Sequence, residues 1–322
     1  MSNINEVAKL AKVGIATVSR VINNSGPVKD ETRQRVEAAI KELNFIPSET
    51  ARSFKKQTTK NIGLLIPTIA HPFFSLLTFH IEQELSKLGY KLMICNSADN
   101  VAIEDQYMEM LKNNQVAGII ITTHNDHGKF TDVDLPLVSI DRFISNKIPY
   151  ISSDNLSGGY EAAKCLDEAG CKKVAYLGNT FNIDTDILKR KYGFEVYCQE
   201  NKIDYVLYEH DTDGYEVIAE KFLKAHPDID GVFAYADMLS LAVIKVANEM
   251  GIKIPENLKL IGYDNITVSE LVIPTLTSVE QDVHRMGMLA SQTLVKMIEG
   301  KDVKKEHIVP IKIVERKSTE RC

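Results

Sequence analysis

Cysteine is sparse and irregular in this chain. Cys95, Cys165, Cys171, Cys198 and Cys322 make five, an odd number, widely spaced and without a Cys-x-x-Cys pair. That pattern argues against a disulfide frame or a zinc site and for reduced thiols in a cytoplasmic setting. No apolar run approaches the ~18 residues of a membrane span, and the N-terminus lacks the basic-then-apolar pattern of a secretion leader. A cytoplasmic location without a membrane partner is expected. Catalytic punctuation is missing as well: no Ser/His/Asp or Cys/His arrangement, no phosphate-cradling Gly-x-x-x-x-Gly-Lys, and no carboxylate pair placed for acid–base work. Neither an enzyme nor a bound cofactor is expected. His124-x-x-His127 with Asp126 has loop spacing rather than the His-x-x-x-His of a zinc helix, so no metal is expected. There is no short-period repeat and no low-complexity segment.

What is present is ordinary folded material. The 322 residues are 44% hydrophobic and 25% charged, enough for two cores and a small appendage. The net charge of −6 divides unevenly: residues 1–60 hold 11 Lys+Arg against 6 Asp+Glu, a balance of +5, and the remaining 262 hold 27 against 38, a balance of −11. A basic front on an acidic body is the signature of a phosphate-contacting module joined to a domain with other business.

The stretch from Ile4 to Asn23 explains the basic front. Ile4, Val7, Ala8 and Ala11 share one helical face, and Asn3 with Glu6 forms a capping-box start. Lys12-Val13-Gly14 breaks the pattern. In the second short helix Val18 and Val21 or Ile22 turn inward, leaving Ile15, Ala16, Thr17, Ser19, Arg20 and Asn23 outside. Two short helices around a tight turn, the second with a small polar and basic outer face, make a helix-turn-helix suited to a major groove. Arg20 has the fork that reads guanine O6 and N7. Ile15 and Ala16 offer apolar contact to thymine methyls, although Ile15 also suits a half-buried helix start. Thr17, Ser19 and Asn23 suit phosphates. A third helix over Glu31 to Asn44, with Val36, Ala39, Ile40 and Leu43 on one stripe, would close this small core, and Asp30 and Glu31 suit its positive end.

The run Val-Ala-Lys-Leu-Ala-Lys-Val-Gly-Ile-Ala-Thr-Val-Ser-Arg-Val-Ile-Asn closely resembles the DNA-reading head of the LacI/GalR family of bacterial transcriptional regulators. Gly14 and Lys29 stand where that family usually has serine caps. Phe45 to Gln57 is similar to the family's hinge. Ser48 can cap a helix there, but Ser48 to Lys55 is shorter than the ~12–15 residues at which an isolated helix persists in water, so folding on DNA is expected. By resemblance Ser48, Ala51, Arg52 and Phe54 belong to the DNA contact, Phe54 standing where the family places a minor-groove leucine wedge.

From Asn61 strands and helices alternate. Ile62–Ile66, Leu92–Cys95, Gly118–Ile121 and Leu137–Ile140 read as buried parallel strands, and Val174–Leu177, Tyr205–Tyr208, Val232–Ala236 and Leu260–Tyr263 as a second series. Two such series predict two doubly wound α/β lobes behind a small all-α head. The divisions are 1–46 for the head, 47–60 for the hinge and linker, and 61–322 for the body. Lobe 1 then takes about 61–155 plus 283–305, and lobe 2 about 156–282 plus 306–322.

Ligands in such sheets bind beyond the carboxyl ends of the strands. The residues there are His71, Phe73 and Phe74, Asp141 and Arg142, Arg190, Asp237, Asp264, and Gln281 on a return crossover. Aromatic faces among carboxylates, guanidinium groups and an amide suit a sugar ring and its hydroxyls. Asp237 and Asp264 also suit the caps of the turns that follow them, and Phe73-Phe74 also suits a core. Pro72-Phe73-Phe74, Ile140-Asp141-Arg142, Ser153-Asp154-Asn155, Arg190 with Gly193-Phe194, Gly262-Tyr263-Asp264 and Gln281 resemble the ribose-type periplasmic sugar-binding proteins, whose two-lobed body the LacI/GalR regulators share. His71 and Ala236 stand where the ribose pattern has asparagine. The resemblance implies a homodimer on a palindromic double-stranded operator, released by a ribose-like pentose or, next, a fructose- or sucrose-like effector. A ligand that tightens DNA binding, or a protein partner doing so, is the alternative sign. The chain stops at Cys322 without a heptad tail for tetramers.

Overall fold

The computed structural model describes residues 3–23, 25–45, 59–125, 130, 134–180, 185–210 and 214–320. Contacts divide the chain into two units, Met1–Thr59 and Lys60–Cys322. The first contains α1 (Ile4–Leu10), α2 (Ile15–Asn23) and α3 (Asp30–Glu42). Asn3 Oδ1 accepts from the Asn5 and Glu6 amides at 2.9 and 3.1 Å, and the Glu6 carboxylate accepts from the Asn3 amide at 3.2 Å. Both halves of the capping box are therefore made. Val7, Ala8, Ala11, Val18, Val21, Val36 and Ala39 meet in one small core, so all three helices are needed to bury any of them.

Lys29 takes the extended geometry of an N-cap but makes no side-chain cap bond to α3. A lysine amine has no acceptor to offer the first-turn amides. Lys29→Ser should therefore raise head stability by about 1 kcal/mol, measured as slower amide exchange in α3. The hinge positions Ser48, Ala51, Arg52 and Phe54 lie outside the described residues.

The second unit holds two six-stranded sheets. The first runs through β1 (Asn61–Ile66), β2 (Lys91–Asn96), β3 (Gly118–Ile121), β4 (Leu137–Ile140), β5 (Tyr150–Ser153) and β11 (Glu306–Val309), in the order β11-β5-β4-β3-β1-β2. The second runs through β6 (Lys173–Asn179), β7 (Asp204–His210), β8 (Gly231–Ala234), β9 (Lys259–Asp264), β10 (Thr277–Gln281) and β12 (Ile311–Val314), in the order β12-β10-β9-β8-β6-β7. All described pairings are parallel except β10 with β12. Each sheet reverses its winding between its first and third strands, the topological switch at which α/β sheets bind ligands.

Helices cover the faces because the strands are apolar on both. Along β1, Ile62, Leu64 and Ile66 pack against α4 (Pro72–Lys87) and α10 (Val283–Ile298), while Leu65 joins Met108 and Leu111 of α5 (Val101–Asn113) on the other side. In the second lobe α6 (Asn155–Glu168), α7 (Leu188–Asn201), α8 (Tyr215–Ala225) and α9 (Asp237–Glu249) enclose one core around Tyr176, Phe194, Phe222 and Phe233. No described helix is long and apolar enough to cross a membrane.

One expected boundary moves. Residues 306–309 pair with Tyr150–Ser153 and belong to lobe 1, not lobe 2. The last crossover falls at Pro310, because β11 completes the first sheet before β12 returns to the second. The chain thus changes lobe three times, at Asp154, Asp282 and Pro310, with one residue between flanking elements each time. Asp154 (φ −72, ψ 73) and Asp282 (φ −76, ψ 74) share one backbone conformation, and each caps the helix it enters by accepting from the amide three residues on.

Candidate ligand cleft and DNA-reading face

The carboxyl ends of the two sheets border a cleft of about 630 Å³. It brings together His71, Phe73, Phe74, Asp141, Arg190, Asp264 and Gln281 from the sequence-predicted set. The switch points supply the walls: Thr68 and His71 follow β1, Thr122 and His124 follow β3, Asn179 and Thr180 lie at the end of β6, and Tyr235 and Ala236 follow β8.

The floor is a connected polar network. Arg190, 4% exposed, donates from Nε to Asn155 Oδ1 at 2.7 Å and from Nη1 to the Tyr235 carbonyl at 2.6 Å. Its guanidinium stacks 3.6 Å above the Tyr263 ring and stands 3.9 Å from Asp264 Oδ1. Asp264 accepts from Gln281 Nε2 at 2.7 Å, and Gln281 Oε1 accepts from Ser153 Oγ at 2.7 Å. On the lobe 1 side Ser152 Oγ donates to Asp141 at 3.0 Å while accepting from Asn155 Nδ2 at 3.1 Å. Both lobes therefore share one hydrogen-bonded layer. Asp141 and Asp264 hold positive φ, 55° and 103°, a strained region for non-glycine residues that buried function-bearing positions tolerate.

Burial dominates the charge state here. It lifts the Asp264 carboxyl to about 7 and the Asp141 carboxyl to about 6, against the opposing pull of Arg190 on both. The 3.9 Å approach of a single cation is weaker than the cost of taking two carboxylates out of water. The fold then binds more protons than the unfolded chain between about pH 4 and pH 7. This stabilising contribution is complete below the ordinary carboxylate value and disappears as pH rises through 6 to 7. Sugar-free protein is expected to lose thermal midpoint from pH 5 to pH 8 in excess of Asp264→Asn, as scanning calorimetry would show.

The aromatic wall comes from the start of α4. His71 caps that helix, Nδ1 accepting from the Phe73 amide at 3.3 Å, and Pro72 occupies its first position. Phe73 is core as well as lining, 5% exposed, and sets Phe74 edge-on at 5.3 Å. His124 faces Phe74 at 6.4 Å and its Nδ1 lies 3.1 Å from Asp99 Oδ1. Behind this wall the fully buried Glu104 accepts from Thr123 Oγ1 at 2.9 Å and Asn125 Nδ2 at 3.0 Å, fixing the loop after β3.

Two predicted residues are placed elsewhere. Asp237 is wholly buried below Ala236, accepting from the Ile266 amide and from the Ser269 and Ser278 hydroxyls at 2.7–2.8 Å. It ties the loop after β9 to strand β10 and is off the cleft. Arg142 is also buried off the lining, its guanidinium donating to the Asn125 carbonyl. The structure adds Asp99, Asn179, Tyr215 and Tyr235 to the lining. Tyr235 was detectable only through strand length, since β8 ends at Ala234 and frees the next residue.

In the head, Ile15 is 49% exposed, Ala16 and Arg20 are exposed, Thr17 and Ser19 are half-buried, and Val18 is fully buried. Asn23 closes α2. Ile15, Ala16 and Arg20 thus face outward.

Residues 3–48 match the bacterial regulatory proteins of the lacI family, and residues 163–319 match the periplasmic binding protein-like domain. A ribose operon repressor of Halalkalibacterium halodurans is 36% identical over 99% of this chain and 97% of its own length. The chain belongs to the LacI family of bacterial regulators. A sucrose operon repressor of Streptococcus mutans, another member, is also 36% identical, with 99% of each chain covered. Among solved LacI-type structures, a periplasmic binding protein/LacI transcriptional regulator from Alkaliphilus metalliredigens complexed with D-xylulofuranose is 30% identical, with TM-score 0.74 over 81% of this chain and all of that one. The lac repressor dimer bound to operator shares the fold at TM-score 0.88 and 23% identity, over 99% of each chain.

Proposed function

We propose that the chain is a dimeric, operator-binding repressor of a sugar-utilisation operon, released when a small sugar fills the cleft. The observation that carries this reading is one chain holding both an outward basic recognition helix and a cleft of phenyl faces, carboxylates, a guanidinium and an amide. A ribose-like pentose is the favoured effector, with a fructose- or sucrose-like ligand next. The names of the ribose and sucrose repressor relatives support both, and Ala236, small where the ribose pattern has an amide, favours a ligand of different reach. The protein works in the cytoplasm, where its operator is, and catalyses no reaction.

Each head reads only a few base pairs, so two are needed on a palindrome. A sugar bridging both lobes would change the angle between them, and that change would weaken DNA binding. A coupling of a few kcal/mol changes occupancy by orders of magnitude. Mobility-shift titration of a palindromic duplex, with and without sugars shown by calorimetry to bind, tests the reading. At least tenfold weaker DNA binding is expected. Unchanged affinity refutes release, and tightened affinity makes the ligand a co-repressor. Arg20→Ala should cost about 1–3 kcal/mol of operator binding and relax preference at one base pair, read by the same titration over single-substituted duplexes.

A further inference from the structure

The described lining of the cleft is rich in acidic groups and poor in cations. Among the described lining residues Arg190 is the only permanent cation, against the carboxylates of Asp99, Asp141 and Asp264. Its guanidinium also serves Asn155, the Tyr235 carbonyl and the Tyr263 face. Arg142 lies off the lining with its guanidinium on the Asn125 carbonyl, and Lys189 pairs with Asp186 at 2.6 Å. His71 uses Nδ1 for the α4 cap, and burial, Arg190 and His124 each lower its pKa.

Helix starts, the usual anion sites of α/β folds, are partly taken up. Among the described helices, α4, α7 and α8 begin beside lining residues. The first residue of α4 is Pro72, without an N–H, and His71 covers the Phe73 amide. The first three amides of α7 donate to the carbonyls of Thr185, Asp186 and Ile187 at 3.1 Å. The first turn of α8 carries Glu216, which opposes a second negative charge there.

We infer that the cleft selects an uncharged sugar and rejects the phosphorylated form of the same sugar. The chain therefore senses its signal before the phosphoryl-transfer step that consumes it. The inference deepens the sugar reading above and rests on it. Sugar hydroxyls donate to carboxylates and accept from the guanidinium, so they complete the floor. A phosphate brings about −1.5 to −2 charge and acceptor oxygens alone at neutral pH, and meets acceptors. Even the resident carboxyls resist ionising in this layer, as their upward shifts to about 6 and about 7 attest.

Calorimetric titration of the full-length protein with pentoses, fructose and sucrose, and with their 5- or 6-phosphates, tests this. A free sugar should bind at least about 100-fold more tightly than its phosphate. A phosphate ester that binds as well as or better than its parent overturns the inference and leaves the sugar reading standing. Binding by neither form overturns both. Asp99, with a side chain 51% exposed, can be changed without disturbing the core. Asp99→Asn and Asp141→Asn should each narrow the discrimination about three- to tenfold, and an unchanged ratio in both refutes its electrostatic origin.

Discussion

Arg190→Ala is expected to give a repressor that holds its operator and no longer answers to sugar. Among the described residues the guanidinium joins the second-lobe loop at Tyr235 and the crossover helix at Asn155 and stands close to the carboxylate at Asp264. Its removal strands an amide oxygen, a carbonyl and a buried carboxyl, and deletes the donor fork a ring hydroxyl would meet. Losing one member of a buried charged set costs about 3–5 kcal/mol. Sugar affinity should fall by about 100-fold or more, since each charge-assisted bond contributes about 1.5–3 kcal/mol. Arg190→Lys should recover part of the stability and little of the binding, because an ammonium lacks the planar fork that spans these partners. Denaturant unfolding and calorimetry separate the two effects.

The second large effect belongs to glycine. α6 and α7 cross in backbone contact: a Cβ on Gly159 would run into the Arg190 carbonyl, and one on Gly193 into the Leu156 carbonyl. Neither obstacle is a flexible side-chain tip, so the helices must separate. Gly159→Ala should cost about 3 kcal/mol, the upper end of ordinary overpacking, and displace the turn that delivers Arg190 to the floor. Loss of sugar binding would then exceed what the fall in stability explains. Gly14→Ala is the control. Nothing lies within 4 Å of a Cβ there, and only a weak cap is lost, so denaturation of the body should be unchanged.

Periodicity in the sequence reveals the head and the central strands because their burial is local. Val7, Ala8 and Ala11 are buried on one helical face, and Ile119, Ile120 and Ile121 on a strand covered from both sides. β10 is different. It reads Thr-Ser-Val-Glu-Gln and is still largely buried, because Ser278 donates to Asp237 and the Thr277 amide to Ser318, 41 residues away in each case. No local pattern announces partners so distant. Val283–Ile298 goes unassigned from sequence although Val283, Met286, Ala290 and Leu294, all buried, recur at helical spacing. The same distinction runs through the cleft. Asp264 and Asp237 both stand at or near a strand's carboxyl end, but only Asp264 reaches the lining, and the difference lies in which hydroxyls the fold brings onto Asp237.

Three one-residue straps join the lobes, and their shortness restricts how the body can deform. Sliding one lobe past the other would need slack that Asp154, Asp282 and Pro310 do not have, and proline fixes φ at the third. Short connections of this kind favour rotation at their own torsions over sliding. A molecule wedged at the far lip thus works with leverage, turning small torsional adjustments at two aspartates into a large sweep of the outer edges.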